Sequence, residues 1–190
     1  MKILLTAFEL FNNLNTNSSL EVFKCIDDLS LIKLELPVSY KRARDIIREN
    51  ILKYKPDFVI NLGQAGGEKK LRIEKVALNY TRSSIADNDN DLRKKGEVIK
   101  SAPFALKTNL DIEDIVDNAN LNNVDSYVSL SAGGYICNTV YYSSLYYNKG
   151  NALFIHLPYF SGQIENENTM DLELMTKNVL YYIRKIKELI

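Results

Sequence analysis

The chain has 190 residues, 46% of them hydrophobic and 25% charged, enough to bury one substantial core but giving little reason to expect two, so one domain over residues 1–190 is expected. Its 24 basic and 24 acidic residues cancel, which removes the electrostatic footprint of a nucleic-acid binder or a membrane-surface protein. The apolar start is broken too early, by Glu9 and the polar run 12–19, to be a secretion signal, and no other stretch is long enough to span a bilayer; two cysteines without paired spacing argue against a disulfide framework or a zinc site, so a reducing cytoplasm is expected.

Along the chain, apolar β-rich runs alternate with helical periodicity, the pattern of strands joined by crossover helices in a mainly parallel sheet. Residues 2–7 read as the first strand and residues 18–28 as a short helix behind an Asn/Ser cap, with Cys25 on the face of Val22 and Leu29. Residues 31–36 are a strand stopped by Pro37, and residues 40–54 a helix with Tyr40, Ala43, Ile47, Ile51 and Tyr54 on one face. A continuous apolar strand over 57–62, buried on both sides, is followed by a strand of imperfect alternation over 71–80. Over 81–105 the pattern fails, and the length and polarity of that connection fit a lid or mobile excursion. Helical spacing returns over 111–118, where Ile112, Ile115 and Ala119 align. Residues 127–131 read as a buried strand, 132–134 as a turn and 137–147 as an amphipathic helix. The strand of His156 comes next, then an irregular segment over 159–168 and a closing helix over 169–189 with Leu172, Met175, Val179, Ile183 and Ile186 on one stripe.

Ligands of open parallel sheets bind beyond the carboxyl ends of the strands, where segments 8–11, 63–67 and 132–137 and His156 are all expected to lie. His156 is the only histidine and Cys25 and Cys137 the only cysteines, so any Cys/His chemistry uses His156. A cysteine nucleophile needs a base that holds it as thiolate and returns a proton to the leaving amine, and imidazole suits both tasks. Cys137 opens a helix, where unpaired N–H groups and the dipole favour the thiolate. Burial alone accounts equally for a free cysteine and a lone strand histidine, so these two residues leave catalysis and core packing both open. Cys25 reads as structural.

Glu74 interrupts an apolar strand and is either a solvent-facing carboxylate or the third group that orients His156. Gly63-Gln-Ala-Gly-Gly67 lacks the Lys-Ser/Thr ending of a phosphate loop and reads instead as backbone that approaches a ligand closely, with Gln64 supplying an amide. Phe8 and Phe11 are core or the walls of a flat apolar pocket. The acidic cluster 87–91 lacks the glycine and terminal glutamate of a calcium loop, and is expected to solvate the long connection.

Leu5-Thr-Ala-Phe-Glu-Leu-Phe11, Asn17-Ser-Ser19, Leu62-Gly-Gln-Ala-Gly-Gly67, Ile73-Glu-Lys-Val-Ala-Leu-Asn79, Ile85-Ala-Asp-Asn88, Ser131-Ala-Gly-Gly-Tyr-Ile-Cys-Asn138 and Phe154-Ile-His-Leu-Pro158 occur in that order. Together they resemble the pyroglutamyl peptidase I (pyrrolidone-carboxylate peptidase) family of cytosolic cysteine peptidases. The resemblance implies a three-layer α/β/α sandwich with a mainly parallel, mixed central sheet. It places a Cys/His/Glu triad on Cys137, His156 and Glu74, with Asp87 supporting. It also implies removal of an N-terminal pyroglutamyl residue from peptides without metal or cofactor, an apolar lactam pocket at Phe8, Phe11, Val38, Ile85, Tyr135 and Ile136, and a homo-oligomer, commonly a tetramer. Pyroglutamate has no free amine and no charge, so such a pocket needs flat apolar walls and a few amide partners, for which Gln64 and Asn17 are the candidates.

Leu10, Ser18 and Ala86 stand where the family has proline, Gly134 where it has threonine, and Ser84 where it has arginine, with Arg82 near enough to substitute. Two other classes remain in view. One is a non-catalytic binding protein with the same pocket, favoured by the changes at Leu10, Ser84 and Ala86. The other is a phosphorolytic or nucleotide-binding enzyme using residues 63–67, which Lys69 and Lys70 support only thinly.

Overall fold

The computed structural model describes residues 1–11 and 14–190; Asn12 and Asn13, in the polar run after the first strand, lie outside the described residues. The chain forms β1 (Ile3–Phe8), α1 (Ser18–Cys25), β2 (Leu31–Leu36), α2 (Tyr40–Tyr54), β3 (Phe58–Gln64), β4 (Leu71–Glu74), β5 (Val76–Leu78) and β6 (Ala105–Lys107). It continues with α3 (Ile112–Leu121), β7 (Ser126–Ser129), α4 (Ile136–Tyr147), β8 (Ala152–Leu157), β9 (Tyr159–Phe160), β10 (Thr169–Met170) and α5 (Leu172–Leu189).

Six strands make the central sheet in the order β2-β1-β3-β8-β4-β7. Every pairing is parallel except β4 with β8. The apolar runs β1 and β8 are buried along their whole length, as a sheet covered on both faces requires. Alternation sorts their side chains: Ile3, Leu5 and Ala7 join a core with α1, α3 and α5, whereas Leu4 and Phe8 join a second core with α2 and α4. The result is the expected three-layer α/β/α sandwich. Two polar side chains inside the sheet pair with each other and with the backbone: Thr6 Oγ1 donates to Asn61 Oδ1 at 3.0 Å, and Asn61 Nδ2 donates to the Leu153 carbonyl at 3.2 Å.

Several boundaries differ from expectation for local reasons. The helix expected over 18–28 ends at Cys25, where Ile26 turns extended; Cys25 is exposed and Leu29 is 99% exposed, so the two share no buried face with Val22. The strand expected over 71–80 is two strands, broken at Lys75, whose N–H donates to the Ser129 carbonyl; β4 stays in the main sheet while β5 leaves to pair with β6. The strand expected to be buried over 127–131 is an edge strand with Tyr127 and Leu130 exposed. The closing helix starts at Leu172, because Thr169 and Met170 first pair with β9 and Asp171 then caps the helix through the Leu174 N–H.

The helix α4 is not amphipathic. It packs against both α2 and strands including β3 and β8, with Asn138, Thr139, Val140, Tyr141, Tyr142, Ser143, Ser144 and Leu145 all buried. Its serines are satisfied internally, Ser143 Oγ by the Thr139 carbonyl at 2.7 Å and Ser144 Oγ by Asn61 Oδ1 at 3.3 Å. Among the described residues no helix is long and apolar enough to cross a membrane.

Candidate active site

The antiparallel insertion of β4 beside β8 sets Arg72 opposite His156 and Glu74 opposite Phe154. Residues two apart on a strand point to one face, so Arg72, Glu74, Phe154 and His156 converge. Glu74 is 0% exposed, not the surface carboxylate that a strand Glu ordinarily is. Its Oε1 stands 2.7 Å from His156 Nδ1 and accepts from Arg72 Nε at 2.8 Å; Oε2 has no hydrogen-bond partner among the described residues. Burial opposes ionisation of Glu74, but His156 and Arg72 outweigh it and hold its pKa below the usual carboxylate range. Burial lowers the pKa of His156, only partly offset by Glu74. The pair therefore rests as carboxylate and neutral imidazole.

Gly63 pairs with His156 in the register of β3 and β8, and a Cβ there would stand 2.7 Å from the Phe154 ring and 3.2 Å from His156 Cδ2. Glycine is needed for the ring to lie over the strand. The phosphate-cradle reading of residues 63–67 fails on topology: β3 runs through Gln64 and is followed by β4, with no helix N-terminus to receive an anion.

Cys137 is the second residue of α4, and this helix start is held to the strands by two neighbours. Asn138 Oδ1 accepts from the Leu78 N–H at 2.8 Å while its Nδ2 donates to the carbonyls of Leu78 and Tyr80, and the Tyr141 hydroxyl donates to the Glu74 carbonyl at 2.8 Å. Gly134, before the helix, lets the chain pass close to residue 82: a Cβ would lie 2.9 Å from the Arg82 carbonyl oxygen, and the Arg82 N–H donates to Gly134 O at 2.9 Å. Arg82 thus acts here through its backbone; its side chain is exposed and is not part of the cavity wall. The N-cap residue Tyr135 makes no side-chain cap bond, leaving the first-turn N–H groups of α4 without one.

The expectation that the helix terminus favours the thiolate is not met in the free site. Burial, followed by the charge of Glu74, pushes the Cys137 thiol up to about 12 despite Arg72. No hydrogen bond joins Sγ to His156 among the described residues.

A cavity of about 160 Å³ opens beside the thiol, lined by Cys137 together with Phe8, Phe11, Asn17, Val38, Gln64, Ile85, Tyr135 and Ile136. These are the eight residues nominated from the sequence; Thr16, which also lines it, was not among them. Phe11 and Tyr135 form its aromatic walls with ring centroids 5.5 Å apart. Gln64 Oε1 accepts from the Ser18 N–H and from Gln163 Nε2, both at 2.7 Å, and its own NH₂ has no partner among the described residues. Asn17 is more committed: Oδ1 caps α1 through Ser19, and Nδ2 donates to the Glu9 carbonyl at 3.0 Å. A larger depression of about 870 Å³ beside Cys25 and α5 shares no residue with this site and holds no buried titratable pair.

The acidic cluster does not solvate the long connection but clasps it. Asp87 is buried, with Oδ2 accepting from the Tyr40 N–H at 2.9 Å and Oδ1 from the N–H groups of Asp89 and Asp91. Asp89 accepts from Ser39 and Arg42, Asn88 donates to Glu9 and Leu10, and Tyr135 Oη donates to the Ala86 carbonyl at 3.1 Å. These bonds carry Ile85 to the cavity wall. Arg72 and Tyr141 were missed from the sequence; the only signal was that Arg72 stands two residues before Glu74 and so shares its face.

The pyroglutamyl peptidase family model matches residues 1–186. The chain is 36% identical to the pyrrolidone-carboxylate peptidase of Brachyspira hyodysenteriae, over 95% of this chain and 93% of that one, and 33% identical to that of Thermosipho melanesiensis, over 98% of each. The crystal structure of the pyrrolidone carboxyl peptidase from Fervidobacterium islandicum AW-1 superposes with a TM-score of 0.91 at 34% identity, covering 99% of both chains. A match over almost the whole length, in sequence and in fold, places this chain in the pyroglutamyl peptidase family.

Proposed function

We propose that the chain hydrolyses the amide bond after an N-terminal pyroglutamyl residue, with Cys137 as nucleophile, His156 as general base and then acid, Glu74 as the group that orients the imidazole, and Asp87 holding the cavity wall. The observation that carries the reading is the apolar, amide-edged cavity ending on a free thiol, next to a buried carboxylate–imidazole pair. An uncharged lactam suits those walls, and the Gln64 NH₂ suits its carbonyl.

Glu74 occupies Nδ1, so Nε2 is the nitrogen that exchanges protons. As Sγ attacks the acyl carbon, its proton passes to Nε2, the S–C bond forms, and the carbonyl electrons move onto oxygen. The first-turn N–H groups of α4 suit that oxyanion, at about 3 kcal/mol per donor. Collapse breaks the C–N bond as the imidazolium gives its proton to the departing amine. Water then gives a proton to Nε2, attacks the thioester and expels the sulfur, which recovers its proton.

The reading extends to residues 1–190 as one catalytic domain, to peptides as partners, to a homo-oligomer, a tetramer by family resemblance, and to a reducing cytoplasm where Cys137 stays a free thiol. Incubation of the purified protein with a pyroglutamyl chromogenic amide under reducing conditions, with a chelator present, is the direct test. Turnover that disappears in Cys137→Ala supports the reading; tight binding of the amide without turnover would make the chain a binding protein. Light scattering on the same sample reads the subunit number.

A further inference from the structure

Nδ1 of His156 faces two side chains at once. Glu74 Oε1 lies at 2.7 Å and Arg72 Nη2 at 3.3 Å. A guanidinium only donates and an ionised carboxylate only accepts, so the imidazole satisfies Glu74 as Nδ1–H or Arg72 as a bare Nδ1, never both. The shorter, charge-assisted contact selects Nδ1–H to Glu74. Arg72 then sits as a cation against the ring, neither hydrogen-bonded to it nor free to leave. Its other arms hold it: Nε donates to the same Oε1 of Glu74 at 2.8 Å, and Nη1 donates to Glu68 Oε1 at 3.0 Å, while Glu68 Oε2 accepts from the Tyr127 hydroxyl at 2.9 Å.

We propose that Arg72 is a positioning residue of this site: tied to Glu74 and facing Nδ1, it shares the carboxylate's charge and keeps the imidazole neutral, with Nε2 bare and ready to accept a proton. The proposal rests on the reading of Cys137 and His156 as the reacting pair and adds to it the group that sets the proton affinity of the base. Without Arg72, a buried carboxylate at 2.7 Å from an imidazole would draw a second proton onto the ring and block it as a base. With Arg72, that proton would stand beside a fixed positive charge. The charged groups that act on His156 are Glu74 and Arg72 from β4 and Glu68 from the turn before β4; Cys137 of α4 feels the same Glu74 and Arg72, and Tyr127 of β7 touches Glu68 and acts on Arg72. Arg72 opposes the imidazolium, and Glu74 and Glu68 favour it. Arg72 is outside the cavity wall, so its effect falls on proton transfer and not on the fit of the lactam.

One histidine in the chain means that every imidazole signal in an NMR spectrum belongs to His156. Its ring is titrated in the wild type, Arg72→Gln, Arg72→Lys and Glu68→Gln, and the acid limb of kcat/KM is measured alongside. Arg72→Gln is expected to raise the ring titration by about half a unit or more, and the acid limb with it, at nearly constant KM. Arg72→Lys, which keeps the charge, restores most of the wild-type position. Glu68→Gln, which removes the anion that partly cancels Arg72, moves the titration down. Failure of Arg72→Gln to raise it, or of Glu68→Gln to lower it, overturns the proposal, and the second arm stands even if Arg72→Gln does not fold. So does a wild-type ring ¹⁵N spectrum with the proton on Nε2 and a bare Nδ1. None of these ring measurements requires turnover, so loss of the peptidase reading in the amide assay and loss of this proposal are separate results.

Discussion

The Tyr141 hydroxyl donates to the backbone carbonyl of Glu74 at 2.8 Å, one helical turn beyond Cys137, so the helix that carries the thiol is fastened to the strand that carries the carboxylate. Tyr141 is fully buried, and its ring packs on Phe154, whose own ring leans on His156. Tyr141→Phe keeps the packing and removes the tether. Its stability should fall by about 1 kcal/mol, the net worth of one hydrogen bond, in urea unfolding. Its kcat should fall on the order of tenfold, because a thiol displaced by a fraction of an ångström loses its alignment with the base.

Gly63→Ala puts a methyl group against the Phe154 ring and near His156 Cδ2. Overpacking of this kind is expected to cost about 1–3 kcal/mol. The imidazole must shift to relieve it, so kcat/KM should drop further than the melting temperature alone suggests. An unchanged His156 ring resonance in this variant would show that the close approach is not confining.

Asp87→Ala removes the acceptor for the Tyr40, Asp89 and Asp91 N–H groups. Leaving buried donors unpaired costs about 1–3 kcal/mol. The wall residue Ile85 then loses its anchorage, and steady-state kinetics should show KM rising more than kcat falls.

The titrations predict a stability window. Both His156 and Glu74 have folded-state pKa values below their ordinary ones, so the unfolded chain takes up protons first and stability declines as pH falls below about 6.5. Cys137 has the opposite sign. Its folded pKa of about 12 lies above that of the unfolded thiol, so the folded state keeps a proton that the unfolded state releases, and stability declines as pH rises past the ordinary thiol range. Unfolding free energies at several pH values should show the alkaline decline reduced in Cys137→Ala and the acid decline reduced in His156→Gln.

The sheet was legible because β1, β3 and β8 are apolar runs too continuous for any exposed setting, and the helix α2 because its buried positions recur at helical spacing. What escaped was decided by pairing across the chain. Nothing local says whether Glu74 faces water; that depends on β4 lodging beside β8 in the reverse direction. Polar residues of α4 imitate an exposed face, although Asn138 and Ser144 are bonded to strands far away in sequence. The same is true of the cluster 87–91, whose carboxylates serve backbone N–H groups of α2 and of its own turn. The helix-terminus argument for Cys137 was sound as local electrostatics but was outweighed by desolvation, which the walls of the cavity impose.

Strand β8 is threaded between β3 and β4 although both precede it by many residues. The sheet is therefore continuous only once this late segment of the chain is in place. A chain that stops short of residue 152 would lack His156 and leave the edges of β3 and β4 that face β8 unpaired, so such a fragment is expected to associate with other chains through them.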